Sequence, residues 1–259
     1  MRETTAYAAL REKGRSSQEA LQELVGDKAF LQQLRQDKLR LEAGFLAMDP
    51  GTAAVRAWVG SRDFAQDAFD HVQQARRQPG STFKPFVYGA ALQSGVPADA
   101  QRVDQAVEIT LAGGEVWRPS DASPPSGRRM TLADALAYSK NTITAQLVQE
   151  VGPAKVARLA RNLGVRSSPL EAVPALALGA SPVSLLEMVN AYGSLARGGQ
   201  YRAPLLVTRI EDRQGKVLAE FAPHPAEQVW DEEENYALVD MLRGVVDKGT
   251  GRDIRRRWG

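Results

Sequence analysis

The ten residues Arg77-Gln78-Pro79-Gly80-Ser81-Thr82-Phe83-Lys84-Pro85-Phe86 constrain this chain more than any others. Pro79-Gly80 is a turn signal. After it, Phe83, Phe86, Val87, Ala90 and Ala91 recur at helical spacing and predict a helix from Ser81 to about Gln93. Pro85 falls in the first turn, where a missing N–H costs least, and Gly95 then Pro97 end the run. Positions i and i+3 share one helix face. The Lys84 amine can therefore reach the Ser81 hydroxyl from one turn away and act as the base that a weak nucleophile needs. Ser and Lys three apart occur by chance in most chains, so the specificity lies in the surrounding residues.

Bulk properties narrow the remainder. With 259 residues, 43% of them hydrophobic, the chain suits one large domain or a domain with a small appendage. Its 33 basic and 31 acidic residues give no electrostatic case for nucleic acid. The absence of cysteine excludes disulfides, thiol nucleophiles and thiolate metal sites. His71 and His224 are far apart in sequence and offer no metal cluster. No stretch approaches the ~18 apolar residues of a membrane span. The start is charged and polar, unlike a signal peptide. Both ends read as cuts within a larger protein; Arg255-Arg256-Arg257-Trp258-Gly259 is expected to carry no terminal helix.

Leu21, Leu24, Val25, Phe30, Leu31, Leu34, Leu39 and Leu41 predict one polar amphipathic helix over residues 16–42. Residues 44–48 and 53–60 predict a β-hairpin turning at Asp49-Pro50-Gly51-Thr52. Residues 98–130 read as short strands and a Pro/Ser/Gly-rich loop. Helices are expected from Thr131, over 142–151 and 153–163, from Ser181 to about Arg197, and over 231–246. A second hairpin is expected over 207–221. The acidic run Asp231-Glu232-Glu233-Glu234 suits a helix N-terminus better than a catalytic carboxylate pair.

Ser139-Lys140-Asn141 lies 58 residues after Ser81. Alone, these residues read as the end of one helix and the cap of the next. Together with Ser81-Thr82-Phe83-Lys84, they match the Ser-x-x-Lys and Ser-x-Asn elements of one family. Supporting stretches are Trp117-Arg118-Pro119-Ser120-Asp121, Met130 to Leu136, Leu178 to Met188, and Val245-Val246-Asp247-Lys248-Gly249-Thr250-Gly251. From residue 43 to 259 the chain resembles the transpeptidase domain of class A (bifunctional) penicillin-binding proteins. Residues 1–42 resemble the connector that precedes that domain.

The resemblance implies an α+β fold of the penicillin-binding protein/serine β-lactamase type. A central antiparallel sheet would be flanked by helices, beside an all-helical subdomain. It implies a D-alanyl-D-alanine transpeptidase that cross-links peptidoglycan stem peptides and is inhibited by β-lactams, without cofactor or metal. Ser81 would be the nucleophile. Lys84 would be its base, with a pKa lowered by burial and nearby positive charge. Ser139 would carry a proton between Lys84 and the leaving nitrogen, and Asn141 would bind a substrate carbonyl and hold Lys84. Trp117 and Asp121 would border the substrate cleft, although Asp121 stands where the family usually has Asn. The full-length protein would add a glycosyltransferase domain and a membrane anchor, outside the cytoplasmic membrane.

The family's third motif, Lys-Thr/Ser-Gly on a sheet-edge strand, is not in the sequence; Lys248-Gly249-Thr250 has the same letters in another order and reads as a helix end. The motif strand normally gives an oxyanion N–H worth ~2.7–4 kcal/mol. The chain is therefore expected to be an incomplete, weakly active or inactive piece lacking the C-terminal strands. Two alternatives stay open: a non-catalytic penicillin-binding or sensor module, and a serine β-lactamase. The latter lacks support, because neither Glu171 nor Glu187 sits in a Glu-x-x-Leu-Asn element.

Overall fold

The computed structural model describes residues 1–39, 41–111 and 113–259. It divides into two compact units, Met1–Ala43 and Gly44–Gly259. In the first, α1 (Thr5–Glu12) is capped by the Thr4 hydroxyl and α2 (Ser17–Gly26) by a Ser16/Glu19 capping box. α3 (Lys28–Leu39) follows. The single helix expected over 16–42 is thus two, and α1 is additional. The break comes at Asp27, whose backbone is extended and whose carboxylate accepts the Phe30 N–H at 3.0 Å to start α3. Residue 40 lies outside the described residues, and residues 41 and 42 are not helical.

The second unit opens with the hairpin β1 (Phe45–Met48) and β2 (Val55–Val59). Asp49 Oδ1 holds its turn, accepting from the Thr52 N–H and hydroxyl, both at 2.8 Å. A 3₁₀ turn, Gly80–Phe83, then runs into α4 (Lys84–Gln93). The helix expected from Ser81 therefore begins one turn later, with Ser81 on the tighter 3₁₀ segment. Next come β3 (Gln101–Val103), β4 (Ile109–Thr110), β5 (Val116–Trp117) and β6 (Arg129–Thr131), with β3 paired to β6 and β4 to β5. α5 (Leu132–Ala137), α6 (Asn141–Val151) and α7 (Pro153–Leu163) follow, then a 3₁₀ turn at Pro174–Leu178.

α8 (Leu185–Ala196) starts later than the Ser181-Pro182 signal suggests, because Ser184 and Glu187 form the capping box that fixes its first turn. β7 (Gln200–Tyr201), β8 (Arg209–Glu211), β9 (Val217–Glu220) and β10 (Glu227–Gln228) precede α9 (Glu232–Asp247) and α10 (Arg252–Trp258). Asp231 caps α9, accepting the N–H groups of Glu233 and Glu234, and the acidic run occupies the positive end of the helix dipole. α10 corrects the expectation of a chain end without a helix. α9 ends at Asp247, Gly251 stands at the N-cap of α10, and Asp253 sits in the first turn of α10.

The architecture is α+β. The described strands form two-stranded antiparallel sheets, and the β1–β2 hairpin, bridged in parallel from Ala54 to Leu205, is the part of the expected central sheet that they contain. The helices carry the core. α4 is its axis, buried from Lys84 to Ala91 and packed against α6, α7 and α9. Phe83, Phe86, Ile143, Leu147, Leu159, Leu163, Leu176 and Leu238 are fully buried around it. Each such side chain contributes about 1.5–3 kcal/mol by leaving water. Gly89 lets α4 approach its neighbours closely, since a Cβ there would lie 2.8 Å from Leu159 and 3.0 Å from Trp230.

Candidate active site

The turn that presents Ser81 is held from three sides. Arg77 and Val183 exchange backbone hydrogen bonds of 3.0 and 2.9 Å just before it. The Tyr192 hydroxyl donates to the Thr82 carbonyl at 2.8 Å. Gly179, at φ +72°, lies directly on Gly80, and a Cβ on Gly179 would sit 2.8 Å from Gly80 Cα. Ser81 is itself exposed, while Phe83 and Lys84, on the same short stretch, are buried. Burial of Phe83 thus anchors a turn whose hydroxyl faces solvent.

Ser139 comes to Ser81 by the way α5 ends. The Ser139 N–H bonds the Leu136 carbonyl and the Lys140 N–H the Ala135 carbonyl, the two bonds of a Schellman end. Ser139 takes the left-handed position at φ +56°, where glycine is usual. A side chain held there is a strained feature of the kind that gathers at functional sites. The result is a continuous chain of polar atoms. Lys84 Nζ donates to the Ser139 carbonyl at 2.5 Å and to Ser139 Oγ at 3.0 Å, and Ser139 Oγ donates to Ser81 Oγ at 3.1 Å. Lys84 therefore connects to Ser81 through Ser139, not directly from one helical turn away.

Burial lowers the Lys84 ammonium to about 8, and the nearby Asp121 carboxylate works against that fall. The expected neighbouring positive charge is replaced by a negative one. The Lys140 ammonium is spent on Asp104, 2.8 Å away, with Asp121 at 3.7 Å. Asp104 is fully buried, and sequence reading missed it. Its carboxylate also accepts from Thr142 Oγ1 at 2.7 Å, Ser126 Oγ at 2.8 Å and Ser126 N–H at 3.0 Å. Burial alone would raise its pKa, but the bonds from Lys140, Ser126 and Thr142 outweigh it and hold the carboxyl far below the usual range. No spacing in the sequence flags this partnership, because Asp104 and Lys140 meet only through the fold.

Asn141 opens α6. Its N–H donates to Asp121 Oδ1 at 2.7 Å and its side-chain amide to the Ser120 carbonyl at 2.7 Å. Asp121 thus places a carboxylate at the helix N-terminus, and Lys84 is held by Ser139 rather than by Asn141. A cavity of about 690 Å³ is lined by Ser81, Asp121, Tyr138, Ser139, Lys140 and Asn141, together with Ser126, Arg128 and Arg129. Trp117 lies on β5, paired with Ile109, and is not among the lining residues. Of the six residues singled out in the sequence, the fold brings Ser81, Lys84, Ser139, Asn141 and Asp121 together and leaves Trp117 apart.

Residues 43–256 match the family model described as the penicillin binding protein transpeptidase domain. The chain belongs to that family. Penicillin-binding protein 2D of Bacillus subtilis is 37% identical over 226 residues, covering 84% of this chain and 32% of that protein. Penicillin-binding protein 1A of Neisseria meningitidis is 35% identical over 218 residues, covering 82% and 27%. The chain therefore spans about a third of these relatives' length. Among solved structures, penicillin-binding protein 1A from Haemophilus influenzae superposes with a TM-score of 0.79 at 25% identity, over 84% of this chain and 38% of that one.

The penicillin-binding transpeptidase family accounts for the α+β fold and for the class A resemblance of the motifs. Glu187, weighed as a base for the β-lactamase alternative, does not line the Ser81 cavity. Both Glu187 oxygens are taken by the Ser168 hydroxyl and by the N–H groups of Ser167, Ser168 and Ser184, beneath the start of α8. A carboxylate so occupied is a structural cap with no free lone pair to activate water.

Proposed function

We propose that this chain is the acyl-transferring part of a D-alanyl-D-alanine transpeptidase acting on peptidoglycan stem peptides. The observation that supports this most is the Ser81–Ser139–Lys84 hydrogen-bonded chain ending on a buried amine whose pKa falls to about 8. With Lys84 neutral, the two hydroxyls turn and the relay runs from Ser81 toward the amine. Ser81 Oγ then attacks the carbonyl carbon of the penultimate D-Ala while its proton passes through Ser139 to Lys84. With Lys84 protonated, the donors run from Lys84 to Ser139 to Ser81, as the hydrogen bonds are oriented here. After the attack Ser81 Oγ holds no proton, so Ser139 Oγ gives its proton to the leaving nitrogen as the C–N bond breaks and is reprotonated by Lys84. D-Ala departs and an ester on Ser81 remains. An amine of a second stem peptide attacks this ester, frees Ser81 and completes the cross-link.

A β-lactam would acylate Ser81 by the same first step. The substrate puts the domain outside the cytoplasmic membrane, with a glycosyltransferase domain and anchor supplied by the full-length protein. Among the described residues, no helix is long and apolar enough to cross a membrane. The test is the intact mass of the chain after benzylpenicillin, beside Ser81→Ala. One adduct of the antibiotic's mass, absent from the variant, is expected. A variant that gains the same adduct would overturn the reading, whereas a folded chain that gains none would fit the expected lack of the third motif's oxyanion N–H. Fast, complete labelling would contradict only the expectation of a weakly active chain.

A further inference from the structure

The cavity beside Ser81 carries positive charge that nothing in it neutralises. Its acidic groups are already engaged. Asp121 accepts the Asn141 N–H, and the buried Asp104 beneath the wall takes Lys140, Ser126 and Thr142. Arg128 and Arg129 line the same cavity, and among the described residues neither guanidinium has an ion-pair or hydrogen-bond partner. Their segment is fixed in place. The Asp104 N–H donates to the Arg128 carbonyl at 2.9 Å, Gly127 N–H donates to the Asp104 carbonyl at 2.8 Å, and Arg129 pairs with Val103 across β3 and β6. Asp104 thus ties the arginine-bearing wall and the Ser139–Asn141 strip to one buried point. Two exposed, unpaired arginines beside one cavity supply positive charge for an anionic group, and a single guanidinium is enough to take a carboxylate.

We propose that Arg128 and Arg129 form a carboxylate subsite that selects anionic peptides for the Ser81 centre. The inference rests on the transpeptidase reading and deepens it by naming the charge the cleft recognises. Two carboxylates of a stem-type peptide could fill the site, the C-terminal one or a branch one such as a γ-linked D-glutamyl α-carboxylate. The chemistry is the same for both, and the experiment separates them.

Binding of fluorescent γ-D-Glu-Lys-D-Ala-D-Ala would be measured by anisotropy on Ser81→Ala, which removes turnover. Two further peptides carry a carboxamide at the branch or at the C-terminus. The free acid is expected to bind about tenfold tighter than one of the two amides. Arg128→Gln/Arg129→Gln should abolish that preference, Arg128→Lys/Arg129→Lys should keep part of it, and added salt should weaken it. Both arginines are exposed, so unchanged thermal melts serve as the folding control. Equal binding of all three peptides, no binding of the free acid, or an unchanged preference in the Gln variant would each overturn the subsite. None of these results bears on Ser81 acylation by benzylpenicillin, which tests the transpeptidase reading separately.

Discussion

On the proposed mechanism, Lys84 sets the pH behaviour of the site. Only its neutral form accepts a proton, and burial lowers it to about 8. The rate of acylation by benzylpenicillin should therefore climb as pH rises through about 8 and level off above it. Asp121 opposes that lowering, so Asp121→Asn should move the rising limb to lower pH. A limb that stays in place or moves up would separate Asp121 from Lys84. The pair Ser81 and Lys84 was legible from their spacing and context. The resemblance also implied that Ser139 works with Lys84, but the link from Ser139 to Ser81 was not legible, because Ser139 makes it from a left-handed position that sequence signals assign to glycine. Asp104 was illegible for a different reason. An isolated Asp among short strands has no local mark, and its role comes from burial beside Lys140.

Short elements position the reactive turn more than long ones do. Gly179 ends one 3₁₀ turn with its Cα against the Gly80 backbone of the other. Gly179→Ala adds a methyl where none fits, at a φ that L residues rarely adopt. It should cost more than about 1 kcal/mol of stability and slow acylation, as read by thermal melts and penicillin labelling. A variant matching wild type in both would show that the turn yields. At the start of α8, Ser184→Ala removes one cap and should cost about 1 kcal/mol. Glu187→Ala should cost more, because it strands the buried N–H groups of Ser168 and Ser184 at ~1–3 kcal/mol each. Equal losses in urea titrations would contradict that ordering. Helix existence in the second unit was legible from apolar spacing and Gly/Pro punctuation except at α10, whose mostly charged run offers too little apolar spacing to read. The boundaries that moved, at Asp27, Lys84 and Ser184, each moved to a side-chain cap or a tighter turn.

The second unit holds its core within itself, from Phe83 to Met241. A chain beginning at Gly44 is accordingly expected to melt cooperatively and keep Ser81 labelling. Loss of either would show that residues 1–43 complete the fold. Acid sensitivity should trace to Asp104. Its folded pKa lies below the unfolded value, so its contribution is present above about pH 4 and is lost as pH falls toward the folded value. Asp104→Asn should lower stability at neutral pH and flatten the decline in acid. An unchanged acid slope would place the sensitivity elsewhere. The α+β class and family were legible because the motifs fall in a fixed order along the chain. The division of strands into small separate pairs was not, since pairing partners such as β3 and β6 are set by the fold between them. The central claim is that Ser81 is activated by Lys84 through Ser139. Its most direct test is the time course of benzylpenicillin labelling, by intact mass, of wild type and Ser139→Ala. The relay predicts labelling on Ser81 that slows by about a hundredfold or more in the variant; labelling of Ser139→Ala at the wild-type rate would contradict it.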